Sequence, residues 1–142
     1  MPVNRHTQII VSPFGPRAWP PGFHRGVDLR TVIREPFKQL FIVAPENIKI
    51  IKIGWQDKWG GNIIARGLDS GYKLKFIHVK EADGLAEGKT VETGTIIARP
   101  VTTDYMKERN FWQHLHFETW GPVKPFDPVK YFDERGIKYE YK

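Results

Sequence analysis

Two histidines one residue apart, His114 and His116, sit inside the run Gln113-His114-Leu115-His116-Phe117-Glu118. On a β-strand, residues i and i+2 point to the same face, about 6.6 Å apart along the strand. Two imidazoles on one face can converge on one small object, and a zinc-like ion with its bound water is the obvious one. His24 and Asp28 place an imidazole and a carboxylate four residues apart, and His78 closes an alternating apolar run. The chain has no cysteine, so thiolate ligation is excluded and any metal is held by His and carboxylate. Each piece alone also reads as structural: strand histidines are often half-buried and hydrogen-bonded, and a loop histidine followed by an acid is common. Together they supply three ligands and two spare imidazoles. A catalytic zinc wants three protein ligands and an open fourth position, with further groups to orient water, move its proton and stabilise an oxyanion.

The elements that must position these groups are mostly strands. Residues 7–12, 24–29, 40–44, 48–53, 62–66, 72–79, 95–98 and 111–120 are apolar or β-branched runs separated by Gly, Pro and polar turns. In 72–79, strict alternation places Tyr72, Leu74, Phe76 and His78 on one face, with Lys73, Lys75 and Ile77 on the other. Residues 55–61 read as a hairpin turn around Gly60-Gly61, and 102–110 as a charged segment with room for a helical turn. Asp127-Pro128 is a helix start, N-cap then proline, and Gly136 the matching stop after Arg135. The expectation is one all-β domain over residues 1–142, with an antiparallel sheet of many short strands, a short C-terminal helix and long loops forming a groove.

A chain of 142 residues can bury a core without staples. The formal charge of +6 favours anionic partners, among them nucleic acid, anionic lipid and cell wall polymer. The positive residues are scattered, and no zinc-finger, KH or RRM motif is present, so no motif supports a nucleic-acid partner. No apolar stretch approaches a transmembrane helix, and the N-terminal run has no apolar signal core.

In combination the motifs are specific. Phe14-Gly15-x-Arg17, then Gly22-Phe23-His24-x-Gly26-Val27-Asp28-Leu29, resembles the first metal motif of the lysostaphin-type (LytM-like) zinc endopeptidases, and His114-Leu115-His116-Phe117-Glu118 resembles their second. Gly54-Trp55, Gly61-Asn62-Ile63-Ile64, Ile77-His78-Val79 and Gly88-Lys89-x-Val91-x-x-Gly94-x-x-Ile97-Ala98 resemble the segments between, in the right order. The resemblance implies one zinc ion held by His24, Asp28 and His116. It implies that His114 and His78 are catalytic, positioning the water and holding the developing oxyanion, with the choice of general base open. It implies a LytM-like fold and hydrolysis of the stem peptide or cross-bridge of bacterial peptidoglycan, with glycine bridges and D,D cross-links both in range.

Two segments depart from the family pattern. Residues 102–113 replace a small-residue loop before the His-Leu-His strand, and residues 30–39 are longer and more basic than expected. The first would form a wall of the substrate groove, for which Phe14, Trp19, Tyr105 and Trp112 are candidates. Without a signal segment, the expected setting is a bacteriophage or virion-associated lysin, in the host cytoplasm before holin-mediated release; a domain of a longer secreted protein is the alternative. A monomer is expected. The rival readings are an iron(II) oxygenase, whose His-x-carboxylate spacing is missing, and a zinc carboxypeptidase, whose first motif has a wider His-to-Asp gap. A metal-silent wall-binding or activator module is the non-enzyme rival, and all five site positions being filled argues against it.

Overall fold

The computed structural model describes residues 1–18, 21–34 and 37–142. The chain runs through β1 (Thr7–Ser12), β2 (Gly15–Arg17), β3 (Gly22–His24), β4 (Val27–Arg30), β5 (Val32–Arg34), β6 (Phe37–Gln39) and β7 (Ile42–Val43). It continues through β8 (Ile48–Gln56), β9 (Gly60–Gly67), β10 (Lys73–Glu81), β11 (Thr90–Val91) and β12 (Ile96–Pro100). Helix α1 (Asp104–Glu108), β13 (His114–Trp120), β14 (Pro125–Phe126), α2 (Pro128–Arg135) and β15 (Lys138–Tyr141) complete it. The main sheet has the order β11-β8-β9-β10-β13-β4-β1-β15, and two small hairpins, β2–β3 and β5–β6, stand apart from it. The fold is LytM-like and almost wholly β, as expected, with one departure from antiparallel pairing. Strand β15 runs parallel to β1, Thr7 opposite Lys138, because α2 carries the chain to the free edge of β1 before the last strand begins.

Helix α2 starts and stops where its sequence directs. The Asp127 side chain accepts from the Val129 amide at the N-cap, and Gly136 closes the helix in the left-handed conformation. The helix lies on one face of the sheet, where the Phe132 ring stacks on Phe117 at 5.8 Å and Phe117 meets Phe76 at 5.3 Å. The Tyr131 hydroxyl donates to buried Glu46 at 2.6 Å, which ties the helix to the start of β8. That face is the core. The opposite face of β13 and β4 carries His114, His116, Asp28 and Arg30, since Leu115, Phe117, Val27 and Leu29 take the inward positions.

Three local features differ from the alternation read in sequence. The run 24–29 is two strands, broken at Arg25-Gly26, and a Cβ on Gly26 would run into the Phe117 carbonyl. The glycine thus lets the chain pass close over β13 between His24 and Asp28. The hairpin turn after β8 contracts to residues 57–59, and Gly60-Gly61 lie within β9.

The third feature decides the site. Ile77 pairs with Asn62 and Val79 with Gly61, so His78 is an extra residue in β10. Its φ is 72°, in the left-handed region that a histidine seldom adopts. Strict alternation would send His78 into the core beside Leu74 and Phe76. The bulge turns it to the face that carries His114, and the two rings meet edge to face at 5.1 Å. The Val101 amide donates to the His78 carbonyl at 3.0 Å and holds the bulge. Opposite it, a Cβ on Gly61 would collide with the Val79 carbonyl. Gly61→Ala is therefore expected to cost about 1–3 kcal/mol through overpacking. It should lower the melting temperature by several degrees and reduce turnover through a displaced His78; a thermal melt paired with an activity assay checks both.

Candidate metal centre

Register brings the groups together. His116 on β13 lies directly opposite Asp28 on β4. Their facing atoms, His116 Nδ1 and Asp28 Oδ1, are 2.9 Å apart. His24, at the end of β3, adds Nε2 at 3.2 Å from the same oxygen and 3.1 Å from His116 Nδ1. Three donor atoms at mutual separations of 2.9–3.2 Å form a nearly equilateral triangle. A tetrahedral zinc with bonds of about 2.0–2.1 Å separates its ligand atoms by roughly 3.3 Å, so the donor set fits the ion in kind, number and spacing. His24, Asp28 and His116 also form the metal-competent cluster found among the described residues.

Partners behind the triangle fix the ligands. His24 Nδ1–H donates to the Pro13 carbonyl at 2.8 Å, which leaves Nε2 for the metal position. His116 Nε2 lies 2.8 Å from Glu118 Oε2, whose other oxygen accepts from Trp120 Nε1 at 2.6 Å. A carboxylate on the outer nitrogen of a ligand histidine orients the ring and makes it a stronger donor. Glu118 backs the His116 ring, and its i+2 spacing from His116 is the sequence signal for that contact. Glu118→Gln keeps an acceptor for Trp120 and removes the charge. It should weaken metal affinity about 10–100-fold, as measured by competition against a chromophoric chelator.

The electrostatics favour a cation at the triangle. Burial alone would raise the Asp28 pKa, but hydrogen bonds from His116 and His24 outweigh it and hold the carboxyl well below its usual range. Burial would lower His116, yet the Asp28 and Glu118 carboxylates on its two nitrogens push it up to about 9. A field that favours a proton there favours a divalent ion for the same reason.

His114 and His78 flank the triangle. His114 Nδ1–H donates to the Trp112 carbonyl at 2.9 Å, and its Nε2 stands 3.6 Å from Asp28 Oδ1. His78 Nδ1–H donates to the Trp59 carbonyl at 2.7 Å. Burial, and then the charge of His114, push His78 down to about 4, so the ring is neutral at neutral pH. Each histidine thus presents Nε2 to the same cleft, which encloses about 460 Å³.

Among the proposed groove aromatics, Tyr105 on α1 lines this cleft and packs on Trp59 at 4.7 Å. Trp112 lines a neighbouring cavity. Phe14 packs edge-on against Phe23 at 5.2 Å and on the core instead. Trp19 lies outside the described residues. Arg17, part of the first motif but unassigned in the sequence reading, has Nη1 3.8 Å from Asp28 Oδ2 and donates to Ser12 Oγ at 3.1 Å.

Comparison with known proteins gives a consistent result. The catalytic domain of lysostaphin from Staphylococcus simulans, described as an antimicrobial peptidase, superposes with a TM-score of 0.65 at 22% identity, over 85% of this chain and 89% of that one. A chain of the SpoIIIAH–SpoIIQ complex superposes with a TM-score of 0.73 at 17% identity, over 92% and 97%. A zinc-containing peptidase from Vibrio cholerae does so with a TM-score of 0.67 at 24% identity, over 89% of this chain and 37% of that one. These likenesses establish the fold. No curated protein sequence matches the chain. The model of peptidase family M23 matches residues 22–128, a span that runs through His24, Asp28, His78, His114 and His116, and the chain belongs to that family.

Proposed function

We propose that the protein is a zinc-dependent endopeptidase that hydrolyses peptide bonds in the stem peptide or cross-bridge of bacterial peptidoglycan. The observation that carries this reading is the donor triangle of His24, Asp28 and His116, open on the side where His78 and His114 present Nε2. Family membership supports peptidase chemistry, and the lysostaphin fold supports a wall substrate. A net charge of +6 suits an anionic polymer.

A zinc ion at the triangle would polarise the scissile carbonyl and bring a water to a reactive state near neutral pH. The chain's own residues do the rest. Both flanking imidazoles spend Nδ1–H on a backbone carbonyl, so each offers an Nε2 lone pair to a water lying between them. That water can hand its proton to either ring. Whichever ring is protonated then donates a hydrogen bond to the charge developing on the carbonyl oxygen, and later returns the proton to the leaving amine. Trp59, Tyr105 and Phe111 give the cleft an aromatic lining.

The test is digestion of purified peptidoglycan from two wall types, with mass analysis of the released fragments. New amino termini are expected, lost with a chelator and restored by zinc. Stoichiometric zinc with no cleavage of either wall would favour a binding module and remove the peptidase reading.

A further inference from the structure

A second cavity, of about 660 Å³, opens beside the metal centre and shares Arg17, Asp28, Phe111 and His114 with the first. The two adjoin, with Asp28 of the donor triangle and His114 at their boundary. The two segments that depart from the family pattern both contribute to the second part, Arg30 and Val32 from one and Phe111 and Trp112 from the other, beside Val11, Ser12 and Arg17. Arg17, Arg30 and Lys142 bring cationic side chains to it, and Asp28, the sole side-chain carboxylate in the lining, is already engaged by His24, His116 and Arg17.

Arg30 pairs across the sheet with His114, which puts its side chain on the site face next to that ring. It forms no ion pair or hydrogen bond with any described residue. Arg17 reaches the same space; its Nη1 donates to Ser12 and stands 3.8 Å from Asp28 Oδ2, and its other nitrogens have no partner among the described residues. The Arg30 guanidinium, half-buried and without an acid partner among the described residues, suits a planar anion that takes two hydrogen bonds at once.

We propose that this cavity is a carboxylate subsite, in which Arg30 and Arg17 hold an acid group carried by the peptide next to the bond that is cut. The proposal rests on the peptidase reading above and adds the substrate class. The acid is either a free chain terminus or a side-chain carboxylate, and both present the same oxygens.

The test uses zinc-loaded protein and four forms of a synthetic stem peptide: all carboxylates free, all amidated, only the C-terminus amidated, and only the side chains amidated. Cross-linked dimers report cleavage, and monomers report binding by calorimetry. The acid dimer is expected to be cleaved with a kcat/KM at least about 10-fold above its amidated twin, and the acid monomer to bind at least about 10-fold tighter. Arg30→Met keeps the aliphatic stem and should bring both ratios close to one. Arg30→Lys, a point charge without the fork, should give intermediate ratios. The half-amidated peptides identify which carboxylate is read. Equal handling of acid and amide by the wild type, or ratios unchanged in Arg30→Met, overturns the subsite. Cleavage without acid preference leaves the peptidase reading standing and removes the subsite. Acid-selective binding lost in Arg30→Met, with no cleavage of any dimer, keeps the subsite and removes the peptidase reading.

Discussion

Asp28→Ala is expected to fold and to lose its metal. The carboxylate is the anionic corner of the triangle, with Oδ1 2.9 Å from His116 Nδ1 and 3.2 Å from His24 Nε2. Without it the site offers two imidazoles and no anionic ligand, and two ligands do not complete a protein site for zinc. The loss of affinity should be on the order of 10³-fold or more, well beyond the 10–100-fold expected when only an outer partner is removed. Hydrolysis should fall with it. Fold retention is expected because Val27 and Leu29, on the other face of β4, carry the packing. Zinc content after dialysis and chelator competition measure the effect, with a melting curve as control. An Asp28→Ala protein that keeps zinc at wild-type affinity would remove Asp28 from the ligand set.

Strand geometry made a site legible in the sequence, and family resemblance implied which residues would hold a metal. His114 and His116 share a face at i, i+2, and the register of β13 against β4 then sets Asp28 opposite His116. His24-x-Gly26-x-Asp28 carried its own reason in Gly26, though only the structure shows that the glycine makes room for the Phe117 carbonyl. His78 was legible as a site residue through family resemblance, while its periodicity pointed to the wrong face. A bulge changes the parity of a strand, and nothing in the run from Tyr72 to His78 announces one. Gly61, on the partner strand, was the signal, and its local reading was a hairpin turn. The parallel edge strand β15 escaped for a different reason: pairing between the first and last strands depends on where α2 returns the chain. The Arg17–Arg30 cavity is likewise tertiary. Its two arginines come from separate strands, and its other wall from a loop far along the chain.

The division of labour follows from this construction. Two of the three candidate ligands, Asp28 and His116, sit on β4 and β13 in the middle of the sheet, where core packing backs their strands, and His24 reaches them from the β2–β3 hairpin. Much of the groove wall sits on 102–113 and on the chain from the end of β4 onward, where sequence can change without moving the metal site. Differences from relatives should therefore appear in what is bound, while the chemistry stays common to the family.

Removing the flanking histidines tests the other half of the site. His114→Ala is expected to keep zinc, because its nearest nitrogen stands 3.6 Å from Asp28 and outside the donor triangle. Turnover should fall by about 10²–10⁴-fold, the usual scale for losing a positioned proton-transfer group. For His78 the backbone must be considered too, since its φ of 72° would strain alanine. His78→Asn is the better variant, because asparagine tolerates that conformation and the bulge should survive. It too should keep zinc and lose turnover on the same scale. The double variant is informative. If the two rings share one water, removing the second should add much less than the product of the single losses, because a unit already broken cannot be broken twice. Fully multiplicative losses would mean that the rings act on separate steps. Loss of metal in His114→Ala, with His116→Ala retaining it, would exchange the roles assigned to these two residues.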